Sequence, residues 1–357
     1  MKVMHSQFTK KQTLVAKGFA IVLLLMYHLF ENEHLITSLN VTYAPFALEN
    51  FLTVTGFGNI CVAIFVFLTA YGISKGLFAE ESISPKQAYH QATKRFGRLM
   101  ANFAVLFISV NALWWYKFDY HTLYGVNKQG FLYMLTDALG LSMFFDTPTL
   151  NMTWWYMEIA YLLIFLIPLL AWLVKKIGYS ILILALLMPS VITFHPDMER
   201  YLFTAVIGVC AAYGKWLERL MDKKYSSILQ WCVAVVGIVL CVLVRQNYVV
   251  QQSYLHIADG FIALLLVWFF GVLIASVPVL SSLMAFIGKH SMTIYLVHTF
   301  FYMALWQKQI YRFQYAGLIL LALLVVCLGY SVVLEAIKSI VVKICKRIYN
   351  KNKKHKK

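Results

Sequence analysis

The chain has 357 residues, 61% of them hydrophobic and only 13% charged, with a mean hydropathy of +0.72. Soluble domains carry roughly twice that share of charge, and no polar stretch is long enough to fold alone, so a soluble globular protein is excluded. The formal charge of +16 would suit a nucleic-acid partner, but its distribution along the chain assigns it to a membrane surface instead.

A bilayer core takes about 20 apolar residues per helix. On that measure spans are predicted near residues 13–31, 51–74, 100–116, 153–174, 179–195, 201–214, 227–244, 257–276, 290–306 and 315–340. The expected fold is all-α, a polytopic membrane helix bundle of about ten transmembrane helices. One domain is expected over residues 1–345 and a basic cytoplasmic tail over 346–357. With the N-terminus inside, all but six of the 31 lysines and arginines fall on the inner side, the six being Lys117, Lys128, Arg200, Arg245, Lys308 and Arg312. Inner loops are where that excess belongs. A multi-pass plasma-membrane protein with both termini cytoplasmic is therefore expected, its KICKRIYNKNKKHKK tail facing anionic membrane lipid. Residues 117–152 form a longer external connection, in which FLYMLTDALGLSMFF is expected to dip into the membrane. The six cysteines are scattered singly, without a CxxC or Cys/His cluster, so neither a metal site nor a disulfide framework is indicated.

Titratable side chains inside spans are costly and mark function by default. In KGFAIVLLLMYHLF, Lys17 and His28 are eleven residues apart; eleven steps of about 100° make three turns plus about 20°, so both lie on one face, roughly 16 Å apart along the axis. Lys17 also fits a lysine snorkelling to the inner interface. His28 needs polar partners there and suits a proton-transfer group near neutral pH. Glu31, one turn on, is either its orienting carboxylate or a solvated loop residue. In ATKRFGRLM, Arg95 and Arg98 suit bidentate contact with phosphate oxygens; positive-inside anchoring explains them equally. In NMTWWYMEIAYLL, Trp154 and Trp155 form either an interfacial belt or a stacking platform for a sugar acceptor. Glu158, about one turn into its span, must be protonated, pair with a base or hydrogen-bond an imidazole. In FIGKHSMTIYLVHTFF, His298 is either a structural hydrogen-bonder or a catalytic group.

Taken in order, these segments and GNICVAIFVFLTAYGI resemble the acyltransferase-3 family of membrane acyltransferases over essentially the whole chain. The basic residue, ten residues and histidine of its first helix match Lys17 and His28, and its paired arginines match Arg95 and Arg98. Within that family the chain is similar to bacterial capsule and surface-polysaccharide O-acetyltransferases. The resemblance implies acetyl-CoA as a cytoplasmic co-substrate rather than a bound cofactor, and a glycan or lipid-linked glycan hydroxyl as acceptor. It also implies that the CoA phosphates lie near Lys17, Arg95 and Arg98, and that His28 is catalytic, as base or acyl carrier. Glu158 would then hold its tautomer. Three features depart from the family pattern: Lys17 where arginine is usual, Thr69–Ala70 where Ser–Gly is common, and no proline soon after Arg98. A transporter or flippase for a lipid-linked saccharide is the alternative from another class. A different acyl group or acceptor is the alternative within the same chemistry.

Overall fold

The computed structural model describes residues 7–80, 83–191, 196–221 and 227–354. Among these the chain is helical, and the one β-bridge joins Thr42 to Tyr315. α1 (Lys10–Phe30) opens on a capping box, in which the Thr9 side chain accepts from the Gln12 amide and Gln12 bonds back to the cap backbone. Such a box satisfies amides that a helix start leaves without partners. α2 (Leu48–Ala79) follows, then α3 (Pro85–Lys117), which begins on a second box made by Ser84 and Gln87. α4 (Lys128–Ala138) lies in the long connection before α5 (Trp155–Ile177). Gly178, at φ 61°, ends α5, because a left-handed backbone there halts the helix. Beyond it come α6 (Ile181–Val191), α7 (Pro196–Tyr213), α8 (Ile228–Gln246) and α9 (Val250–Ser276). α10 (Pro278–Lys289), α11 (Ser291–Leu305) and α12 (Ala316–Lys354) complete the bundle.

Seven segments among the described residues are long and apolar enough to cross a membrane: α1, α2, α3, the stretch Met152–Met188 that contains α5, α8, α9 and α12. The spans expected near 179–195, 201–214 and 290–306 correspond to α6, α7 and α11. α6 and α11 are short, and α7 opens on the polar residues PDMER. Residues 192–195 of the first of these lie outside the described residues. The tail expected from residue 346 continues α12 to Lys354.

α1 is the hub, touching α2, α9, α10, α11 and α12. Its crossing with α10 brings main chain against main chain. A Cβ on Gly18 would collide with the Met284 carbonyl, and one on Gly288 with the Leu14 carbonyl and the Gly18 amide. Small residues allow this approach, and it seats the neighbours Lys17 and Lys289 on either side of one joint.

Lys10, Lys11, the start of α3, Lys289 and the end of α12 share one end of the bundle, called here the basic end. Glu218 ties that end together. It accepts from the Tyr71 hydroxyl at 2.7 Å and from Lys75 Nζ at 2.8 Å, and the Phe8 amide lies at 3.5 Å. Burial would raise its carboxyl, but the bonds from Lys75 and Tyr71 outweigh burial and hold it below the ordinary carboxylate range.

Candidate functional site

From the basic end, a cavity of about 170 Å³ opens between α1, α2, α3, α5 and α11; its polar lining is Lys17, Thr69, Tyr156, Ser291 and Tyr295. Tyr156 is hydrogen-bonded to Thr69, so the departure at Thr69 sits in the cavity wall. Lys17 meets no carboxylate and makes no hydrogen bond among the described residues. A cation left without a counter-ion in apolar surroundings is costly, which makes this cavity receptive to an anionic ligand.

Arg95 and Arg98 lie about three turns into α3, four residues and one residue before Leu99 of the cavity wall. The Arg95 guanidinium passes beside Gly76, 3.6 Å from where a Cβ would stand. Arg98 is exposed and donates from Nε to the Lys94 carbonyl at 3.2 Å. Neither pairs with an acid among the described residues.

Tyr295 continues the line toward the opposite end. Its ring centroid lies 6.0 Å from that of His298, and the His298 ring lies 4.9 Å from that of His28. Lys17 and His28 therefore both address α11 from one face of α1. His298 is fully buried. Its Nδ1 donates to the Tyr295 carbonyl at 2.6 Å, which leaves Nε2 as a lone-pair acceptor, and Nε2 has no partner. Buried polar atoms are nearly always satisfied, so an orphan of this kind marks a working group or an absent ligand.

His28 Nδ1 faces Glu31 Oε1 at 3.2 Å, with the imidazole side chain one-fifth exposed. Glu31 is bonded by Tyr27 as well, and Tyr27 in turn by Asn59. Burial would raise the Glu31 carboxyl, but the bonds from His28 and Tyr27 prevail and hold it below the usual carboxylate range. As an anion it takes the Nδ1 proton of His28 as a hydrogen bond and frees Nε2 as a base.

Asn59 leads to a cluster in which two of the six outer-side basic residues, Arg200 and Arg245, meet an acid. Asn59 Oδ1 accepts from Arg200 at 2.8 Å and from Arg245 at 3.5 Å. Both arginines converge on Asp259, Arg245 Nε at 2.8 Å from Oδ1 and Arg200 at 3.3 Å from Oδ2. Asp259 is wholly buried and Arg245 nearly so. The signal was an acid inside the apolar run HIADGFIALLLVW.

Two expectations need correction. Glu158 is not the carboxylate on His28: its Oε1 accepts from the Met143 amide at 2.6 Å, with a second bond from Phe144. It braces the backbone of the connection after α4. The two tryptophans do not form a sugar platform. Trp154 is buried, donates from Nε1 to the Leu296 carbonyl at 2.9 Å and packs against Phe103, Phe107 and Phe300. Trp155 turns elsewhere, stacked on Tyr201 at 6.2 Å. With its faces covered by packed rings, Trp154 can support the site but cannot stack on a ligand.

A family model described as an acyltransferase domain matches residues 15–335. No curated protein and no solved structure matches the chain.

Proposed function

Because the chain belongs to the acyltransferase-3 family of membrane acyltransferases, we propose that it carries an acetyl group from acetyl-CoA to a hydroxyl of a cell-surface polysaccharide or its lipid-linked precursor. The basic end faces the cytoplasm of a plasma-membrane protein and receives the donor; the acceptor arrives from the opposite end. The observation that carries this reading is the line from the Lys17 cavity through Tyr295 and His298 to His28. A thioester arm laid along it would cover the roughly 16 Å that eleven residues of helix rise separate.

Arg95, Arg98 and Lys17 hold the donor's phosphates as charge-assisted contacts. Glu31 keeps the Nδ1 proton of His28 in place, so Nε2 is the reacting nitrogen. Acting as base, Nε2 takes the acceptor's hydroxyl proton while the oxygen attacks the thioester carbon. The C–S bond breaks, and the departing thiolate recovers that proton. Acting as carrier, Nε2 attacks the thioester carbon, the C–S bond breaks and the thiolate departs; the acceptor oxygen then displaces the imidazole as its hydroxyl proton is given up, one proton in all passing to the thiol. In that route the neighbouring His298 Nε2 is the lone pair available to the hydroxyl proton. Trapping an acyl-enzyme after rapid quench, with donor and no acceptor, distinguishes the two.

The decisive test is acetyl-CoA-dependent labelling of glycan by the purified protein, read by mass spectrometry. His28→Ala is expected to lower the rate by about a hundredfold or more. Undiminished labelling by that variant would remove His28 from the mechanism. A wild-type protein that turned over no acetyl-CoA, yet moved a lipid-linked saccharide across vesicles, would make the chain a flippase.

A further inference from the structure

A second cavity, of about 230 Å³, opens at the basic end where α3, the α10–α11 junction and α12 meet; Asn102, Lys289, His290, Thr293, Ser331 and Lys338 supply its polar lining. It is built differently from the Lys17 cavity. The chain breaks at His290, which closes α10 and caps α11 at φ −96° and ψ 4°. The first amides of α11, which have no carbonyl partner within their own helix and no side-chain cap, belong to the same turn as Met292 and Thr293, which line the cavity. A helix start offers amides and a partial positive charge to an anion, and half-helices at membrane depth are used this way.

Independent features support the same reading. Lys289 has no acidic partner, and Thr293, nine-tenths buried, makes no side-chain hydrogen bond among the described residues. His290, also buried, is fixed by Ser331 at 2.9 Å from Nδ1 to Oγ. The single carboxylate in the wall, Glu335, is half-exposed and held by Lys338 at 3.0 Å. Lys338 also reaches Asn102 Oδ1 at 3.5 Å. The cavity thus keeps a surplus of positive charge and of unfilled donors.

Its position identifies the anion. Met292 and Leu296 line both this cavity and the Lys17 cavity. The Gly18–Gly288 contact locks Lys17 and Lys289 to a common joint. A phosphate held here is therefore one wall away from the path proposed for the thioester arm. We propose that the Lys289–His290–Thr293–Lys338 cavity is a phosphate subsite, separate from Arg95 and Arg98, that binds the pyrophosphate end of the acyl donor next to its arm. This rests on the reading of acetyl-CoA as donor. Anionic lipid headgroups share the chemistry, and the test separates them.

The test uses the full chain in nanodiscs, either of phosphatidylcholine alone or with phosphatidylglycerol, and measures CoA binding by calorimetry. Lys289→Met is expected to weaken CoA about tenfold in both lipids, the effect of losing one charge-assisted contact, with Lys289→Arg retaining most of the affinity. The preference in kcat/KM for acetyl-CoA over S-acetylpantetheine, which lacks the phosphates, falls by the same factor. 3′-Dephospho-CoA remains sensitive to the methionine variant, because the pyrophosphate is still present. Wild-type affinity in Lys289→Met while Arg98→Met loses it would overturn the subsite and leave the donor reading standing. A deficit confined to phosphatidylglycerol discs would assign the cavity to lipid headgroups. A wild-type protein that binds no CoA would remove the donor reading, and this subsite with it.

Discussion

Apart from the Lys75–Glu218 and Lys338–Glu335 pairs at the basic end, the two ends of the bundle hold their charges in different ways. At the basic end Lys17, Arg95, Arg98 and Lys289 stand without acidic partners among the described residues, around cavities that are mostly apolar or lined by spare donors. At the other end His28 has Glu31, and Arg200 and Arg245 share Asp259 and Asn59. A buried ion pair is tolerated when its members satisfy one another; an unpaired cation is tolerated when an outside anion completes it. On the proposed reading a ligand completes the basic end, while the far end is paired within the chain. Electrostatic preorganisation is what a reacting group needs, and unspent charge is what a binding site needs.

The sharpest way to break this contrast is to unpair the far end. Asp259→Ala leaves two arginines sharing one buried space, and the fold should lose about 3–5 kcal/mol, read as a fall in the melting temperature of the detergent-solubilised protein. A melting curve like the wild type's would mean the cluster is solvated and the far end is not preassembled. Glu31→Gln is expected to cost less, about ten- to a hundredfold in rate with the fold intact, as when a partner orienting a metal-bound imidazole is lost. The pH profile gives its sign. The Glu31 carboxyl is held below the ordinary range, so its contribution is complete above the unfolded carboxylate pKa and fades as pH falls through the lowered folded value. The wild-type melting temperature should fall along that acid limb and the glutamine variant should lack that component; identical limbs would exclude an ionised Glu31 as the partner of His28. The smallest effect belongs to the basic end. Arg98→Met should raise KM for acetyl-CoA about tenfold with kcat nearly unchanged, since ground-state binding alone is removed. A loss of kcat instead would mean that this end, too, is organised around the reacting atoms.

How much of this was legible follows from how local each feature is. The common face of Lys17 and His28 needs only the helical period of one segment, and the sequence contains it. Glu31 was within reach for the same reason, three residues beyond His28. The weight given to Glu158 came from its depth in an apolar run, and its true partners, the amides of 143 and 144, belong to irregular backbone that no periodicity reveals. The tryptophan pair misled in a related way: adjacent residues on a helix point about 100° apart, so Trp154 and Trp155 turn to different neighbours. Asn59, Arg200, Arg245 and Asp259 come from four separate segments, and their meeting is a property of packing. The acid in HIADGF was the one local trace of it.

The contact of Gly18 with Gly288 has a mechanical meaning. No side chain lies between the two backbones, so nothing in that joint can be compressed, rotated or swapped to a new rotamer. Lys17, just before Gly18, and Lys289, just after Gly288, therefore leave the crossing from backbone positions set by main-chain contact. Such a backbone weld ties the bases of the two lysine stems together, and leaves only their flexible side chains free to adjust.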